Sequence, residues 1–185
     1  VLRRLAKFIL WVSGWEPVGD IPDVPKAVFI AAPHTSNWDG IWALTMKVAI
    51  GLDIKFFAKD ALFWFPLGNL LRSLGGIPLD RAEAHYAVRQ AVAMFESQDR
   101  FFFGLAPEGT RALRDAWKTG FYRIASEAKV PVYLGVLDYE NKRIGIAGRL
   151  DLSDDPDADL QKLAEFYRDI KGRWPEKATP VRFAK

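Results

Sequence analysis

The sequence has no cysteine. That excludes structural disulfides, a thiolate metal site and a cysteine nucleophile, and it leaves the redox compartment open. Histidine is almost as scarce, with two in 185 residues, so a base working near neutral pH has few places to be. Neither histidine sits at metal-ligand spacing, and no metal or resident cofactor is expected. Long apolar runs are missing too. No uninterrupted stretch approaches the roughly 18 residues of a transmembrane helix. Val1 to Trp15 makes a poor signal peptide, because Lys7 interrupts its apolar part and no small-residue cleavage site follows. The first residue is Val, so a preceding segment is expected. Charge of one sign is not massed anywhere, and the formal net charge is only +3. This suits anionic lipid or a phosphorylated substrate better than nucleic acid, whose binders carry a denser basic stripe.

Apolar residues, by contrast, are plentiful: 50% of the chain is hydrophobic and 26% charged, a globular balance. Aromatics reach 14%, with seven Trp and thirteen Phe, and part of that surplus is free to face something apolar outside the core. Repeats, linkers and low-complexity tracts are absent, so residues 1–185 are expected to form one domain. Leu2, Leu5, Phe8, Ile9 and Val12 recur at helical spacing beside Arg3, Arg4 and Lys7. Residues 1–15 therefore read either as a helix lying in a membrane interface or as a terminal helix packed on its own domain. Ala27 to Ala32 is an apolar run ending at Pro33 and predicts a buried strand. A helix over Trp38–Ile50 and a strand over Asp53–Ala58 follow. Residues 61–71 predict a helix broken at Pro66. Further strands are expected at Ile77–Leu79 and Arg100–Leu105, and helices at Ala82–Ser97 and Gly120–Lys129. Val132–Leu137 and Arg143–Ala147 read as a hairpin, and Asp157–Arg173 as a closing helix. Strands alternating with helices predict an α/β fold: a mixed, largely parallel sheet flanked by helices.

Chemistry concentrates at the strand ends. His85 falls in a charged helix start and reads as solvated. His34 follows a buried strand and a proline, at the carboxyl end where open α/β sheets place their ligands. Asp39, five residues on, has two compatible readings. It is a first-turn carboxylate capping a helix with Ser36, and it is a partner for the His34 ring. His-x4-Asp alone is a weak signal. It is joined by Ala106-Pro107-Glu108-Gly109-Thr110-Arg111, again directly after a buried strand. There Pro and Gly force a turn, Gly109 permits close backbone approach, and Arg111 presents a planar fork of donors suited to phosphate. A third strand end, Gly76 to Arg81, supplies another arginine, and Lys118 lies close to the second loop in sequence.

The blocks HTSNWD, GGIPLDR and APEGTR, in that order, with VPVYLGV as a looser fourth, resemble the 1-acyl-glycerol-3-phosphate acyltransferase family of glycerolipid synthesis. The resemblance runs from about Ala27 to Val136, and Lys118 to Phe121 also suits it. It implies His34 as general base and Asp39 as its partner. Arg81, Glu108 and Arg111 would then bind the phosphate and glycerol region of the acceptor, with Gly109 and Thr110 shaping that loop and Lys118 beside it. Its co-substrates would be an acyl thioester, acyl-CoA or acyl carrier protein, and a lysophospholipid. Its place would be the inner face of the cell membrane, as a peripheral cytoplasmic protein with no nucleic-acid partner. The sequence departs from the pattern at Ala106, where Phe is frequent, at Ala112, where Ser commonly follows the Arg, and at Gly135 in the Val-Pro block. The departures at Ala106 and Ala112 leave open another lipid acceptor: another lysophospholipid, an amino-acid-linked lipid or a glycosylated lipid. A non-catalytic lipid-binding domain and a thioesterase are the alternatives from other classes. No Gly-x-Ser-x-Gly elbow appears, which favours direct transfer over a covalent serine route. The acyl chain needs an apolar slot; of the dense cluster Phe56, Phe57, Leu62, Phe63, Trp64, Phe65 and Leu67, most read as ordinary core packing, with Trp64 and Phe65 expected in a tunnel or at a membrane.

Overall fold

Lys26–Ala32 (β2) shows why the apolar run predicts a buried strand: Val28 and Ile30 pack into one hydrophobic cluster, and Ala27 and Phe29 into another on the opposite face. It lies inside a seven-stranded sheet in a computed structural model that describes residues 1–79 and 84–183. Glu16–Val18 (β1), β2, Ile54–Lys59 (β3), Gly76–Leu79 (β4), Phe101–Leu105 (β5), Val132–Asp138 (β6) and Arg143–Leu150 (β7) stand in the order β1-β7-β6-β2-β5-β3-β4. Every neighbouring pair is parallel except β6 and β7, which form the antiparallel hairpin. The carboxyl ends of β2, β3, β4, β5 and β6 therefore emerge along one edge. Chain order reverses direction across β2, which lies between β5 and β6, and an open sheet forms its ligand crevice at such a point.

Helices cover both faces. Leu2–Val12 (α1) lays Ala6 and Leu10 against Met46 and Ala49 of Asn37–Ile50 (α2), with Leu137 and Ile144 of the sheet beneath. On the other face, Ala84–Ser97 (α4), Gly120–Ala128 (α5) and Pro156–Tyr167 (α6) pack Val88, Phe95, Phe121 and Leu163 onto Val28, Ile30 and Phe103. Burying side chains of this size stabilises the fold by about 1.5–3 kcal/mol each. Residues 61–71 break as expected: a short 3-10 turn over Asp60–Leu62 precedes a helix over Leu67–Ser73 (α3).

Two elements differ from the sequence expectation. Glu16–Val18 is a short strand despite Pro17, because it occupies the sheet edge, where a missing N–H breaks no ladder. The closing helix stops at Tyr167 instead of Arg173. Residues 168–183 then run as a strap across the carboxyl edge. The reason is visible at Gly172, where an added Cβ would lie 2.8 Å from the Thr35 Oγ1. That close approach to the β2–α2 loop competes with further helix, and it wins. Among the described residues no helix is long and apolar enough to cross a membrane.

Candidate active site

The β2–α2 loop begins with a cis peptide at Ala32–Pro33 and carries His34. Ser36 caps α2, its Oγ accepting from the Trp38 N–H at 3.2 Å. Asp39 reaches back from the first turn: its Oδ2 accepts the Thr35 and Ser36 amides at 2.7 and 2.8 Å and lies 3.2 Å from His34 Nδ1. The capping and histidine-partner geometries are thus satisfied by one carboxylate. Its other oxygen accepts the Tyr139 hydroxyl at 2.7 Å. Burial by itself raises the Asp39 carboxyl. The hydrogen bonds from His34, Tyr139 and the Ser36 and Thr35 amides outweigh it and hold the group below the usual 3.8. The same carboxylate, after burial, drives the Tyr139 hydroxyl well above its ordinary value. The His34 side chain is 21% exposed. With Nδ1 turned to Asp39, Nε2 is the nitrogen left for a substrate.

Glu108 stands one loop away and behaves differently from an open-surface contact. It is 1% exposed. One carboxylate oxygen accepts the backbone N–H of His34, and the other accepts that of Thr179 at 3.2 Å. Burial pushes its carboxyl above 4.5 in spite of these bonds. Glu108 therefore ties the β2–α2 loop, its own turn and the strap together. Beside it, Gly109 has φ +66°, and its missing Cβ leaves room for the Lys118 stem, since a Cβ there would lie 2.8 Å from Lys118 Cδ. Thr110 Oγ1 accepts the Ala112 N–H at 3.3 Å and keeps the turn closed. Lys118 is fixed by its N–H to the Pro107 carbonyl at 2.9 Å, with its side chain exposed. Arg111 is exposed and lines a pocket in front of the α2 N-terminus with Ser36 and Trp38. Arg81 lies outside the described residues.

His34, Asp39, Glu108, Gly109, Thr110, Arg111 and Lys118 thus gather at one edge of the sheet. Sequence reasoning missed Tyr139 and the strap. Tyr139 is the first residue after β6, and only the parallel arrangement of β2 and β6 brings it to Asp39. Arg173, Trp174 and Lys177 come from the strap to the pocket of Arg111. A local signal existed only in the four cations and one tryptophan of residues 168–177. Of the aromatic cluster, Phe57 packs on Phe103 inside the core at a centroid distance of 4.9 Å. Trp64 and Phe65 point outward, 60% and 82% exposed, just beyond the carboxyl end of β3. On α1, Leu2, Leu5, Phe8, Ile9, Trp11 and Val12 are exposed although Ala6 and Leu10 are buried. The helix is packed on its domain and still leaves an apolar surface facing out.

The family model described as "Acyltransferase" matches residues 18–134, well over half of the chain. No curated protein sequence matches. Among solved structures, the crystal structure of the 1-acyl-sn-glycerophosphate (LPA) acyltransferase PlsC from Thermotoga maritima has a similar fold. The TM-score is 0.65 at 19% identity, with 94% of this chain and 79% of that chain covered.

Proposed function

This chain belongs to the acyltransferase family, and from that premise we propose that it is an O-acyltransferase of glycerolipid type. It moves a fatty acyl group from a thioester, acyl-CoA or acyl carrier protein, to the hydroxyl of a lysophospholipid such as 1-acyl-glycerol-3-phosphate. The observation that carries the reading is the His34 ring. It sits at the sheet's carboxyl edge with Nδ1 against a buried carboxylate and the ring partly exposed.

In this reading the acceptor hydroxyl gives its proton to His34 Nε2 while its oxygen attacks the thioester carbonyl. An alcohol is too weak an acid near pH 7 to react unassisted, and a positioned base contributes typically ~10²–10⁴-fold. Asp39 stabilises the imidazolium that forms, and Tyr139 holds Asp39. The Gly109 amide already donates to the Ala106 carbonyl, so we assign the backbone amides of Thr110 and Arg111 to the tetrahedral oxyanion. The intermediate collapses by breaking the carbon–sulfur bond, and the thiolate takes the proton back from His34. Glu108 serves by fixing His34 and the strap, while Arg81, Arg111 and Lys118 contact the acceptor. The outward apolar face of α1, with Trp64 and Phe65, rests on the membrane that holds the acceptor, on its inner surface.

Thiol release from acyl-CoA tests this, and a cysteine-free chain adds no background of its own. Release that depends on added 1-acyl-glycerol-3-phosphate is expected. Release at the same rate without any acceptor identifies a thioesterase and overturns the proposal.

A further inference from the structure

The stretch matched by the family model ends at residue 134, so the strap that crosses the site lies beyond it. It is nonetheless fastened there at three points. The Tyr139 N–H donates to the Lys171 carbonyl at 2.8 Å, the Trp174 N–H to Thr35 Oγ1 at 3.2 Å, and the Thr179 N–H to Glu108 Oε2 at 3.2 Å. Thr35 is the next residue after His34 and Glu108 binds the His34 amide, so strap and base are held in one frame.

Between these fastenings the strap contributes to a pocket of about 340 Å³. Arg173 and Lys177 come from the strap and Arg111 from the turn after β5, with Trp38 and Trp174 as walls and Ser36 below. No carboxylate among the described residues lines it. Among the described residues none of the three cations lies within 4.0 Å of an acidic oxygen, although Arg123, Arg149, Lys162 and Arg168 each find one elsewhere. The Arg173 guanidinium lies 5.7 Å from the ring centres of both Trp38 and Trp174, and Lys177 Nζ lies 5.7 Å from Trp174. Their positions are thus set by aromatic faces instead of carboxylates. Three like charges turned into one opening repel each other unless an anion joins them, and guanidinium with ammonium is the donor set for a phosphate dianion.

We infer that Arg173 and Lys177, together with Arg111, bind a phosphate monoester of the acyl acceptor, so that the strap sets which lysolipids the site accepts. This rests on the acyl-transfer reading above for the identity of the phosphate's carrier. The same chemistry would suit the phosphates of coenzyme A, and the assay separates the two.

Lys177→Gln is the sharper variant, since Lys177 is exposed and Arg173 also acts on Tyr139. It is expected to raise KM for 1-acyl-glycerol-3-phosphate about tenfold, the worth of one charge-assisted hydrogen bond. kcat and KM for acyl-CoA should stay within about twofold. With monoacylglycerol, which has no phosphate, variant and parent should not differ in KM. A rise in KM for acyl-CoA assigns the pocket to the donor and overturns the inference, as does an equal rise with monoacylglycerol. Titration of the purified chain with glycerol 3-phosphate, read by fluorescence of the flanking tryptophans, needs no turnover. A response that Lys177→Gln weakens supports the pocket even if no acyl transfer is found. If 1-acyl-glycerol-3-phosphate is acylated and neither KM nor fluorescence changes in the variant, the inference alone falls.

Discussion

Replacing Glu108 with Gln separates a carboxylate that holds loops from one that touches substrate. Glu108 is 1% exposed and receives two backbone N–H groups, from His34 and from Thr179. Gln keeps one carbonyl oxygen and turns an amide N–H toward the second donor, so one buried backbone N–H loses its acceptor. An orphaned buried donor costs about 1–3 kcal/mol. Part of that is offset, because the neutral amide escapes the desolvation that raises the Glu108 carboxyl above 4.5. A net loss of about 1–2 kcal/mol is expected, which for a chain of this length lowers Tm by about 2–8 °C. The pH dependence has a definite sign. The folded state holds the Glu108 proton more tightly than the unfolded state, so this group's contribution is full below 4.5 and is lost as pH rises through the raised folded value. The Gln variant lacks that slope, and its deficit should shrink as pH rises through the same interval. Thermal unfolding followed by circular dichroism, with acyl-transfer kinetics on the same preparations, reads both effects. An unchanged Tm combined with a large rise in acceptor KM would refute the reasoning, since Glu108 would then act on the acceptor directly.

Tyr139→Phe removes one of the bonds that keep Asp39 ionised. It should lower kcat roughly tenfold with acceptor KM little changed, equivalent to about 1.4 kcal/mol of transition-state stabilisation. The stability that Asp39 contributes is present above 3.8 and disappears as pH falls through its depressed folded value. In the Phe variant that loss should begin nearer 3.8 in an acid-unfolding series. Phe8→Glu with Trp11→Glu changes two exposed side chains of α1. The pair should reduce co-sedimentation with phosphatidylglycerol vesicles by tenfold or more, at about 1.5–3 kcal/mol for each apolar group withdrawn from the interface. Unaltered co-sedimentation would mean that α1 is not the face presented to lipid.

The sheet was legible because its inner strands are short apolar runs bounded by Pro and Gly, as in Ala27–Ala32 before Pro33 and Phe101–Leu105 before Pro107. The hairpin of β6 and β7 was legible for the same reason. At the site, Ser36 and Asp39 announced a helix start, and the carboxyl-end placement of His34 followed from the strand before it. Tyr139 was not legible, because its contact with Asp39 spans 100 residues and depends on which strands become neighbours. The strap was hidden for a related reason. Its sequence carries on the polar pattern of α6, and only the packing of Gly172 against Thr35 draws it off the helix path. The resemblance placed Glu108 on the acceptor, and its burial was not legible because glutamate so rarely lies fully buried. Two backbone amides supply the partners that make an exception here.

The central claim is that the His34 imidazole takes the acceptor proton, and turnover of His34→Ala tests it most directly. The ring is partly exposed and its loss leaves the Glu108 bond to the residue-34 amide in place, so Tm should change little. Acceptor-dependent thiol release should fall by about 10²–10⁴-fold. A folded variant that still acylates the lysolipid at the parent rate would contradict the account.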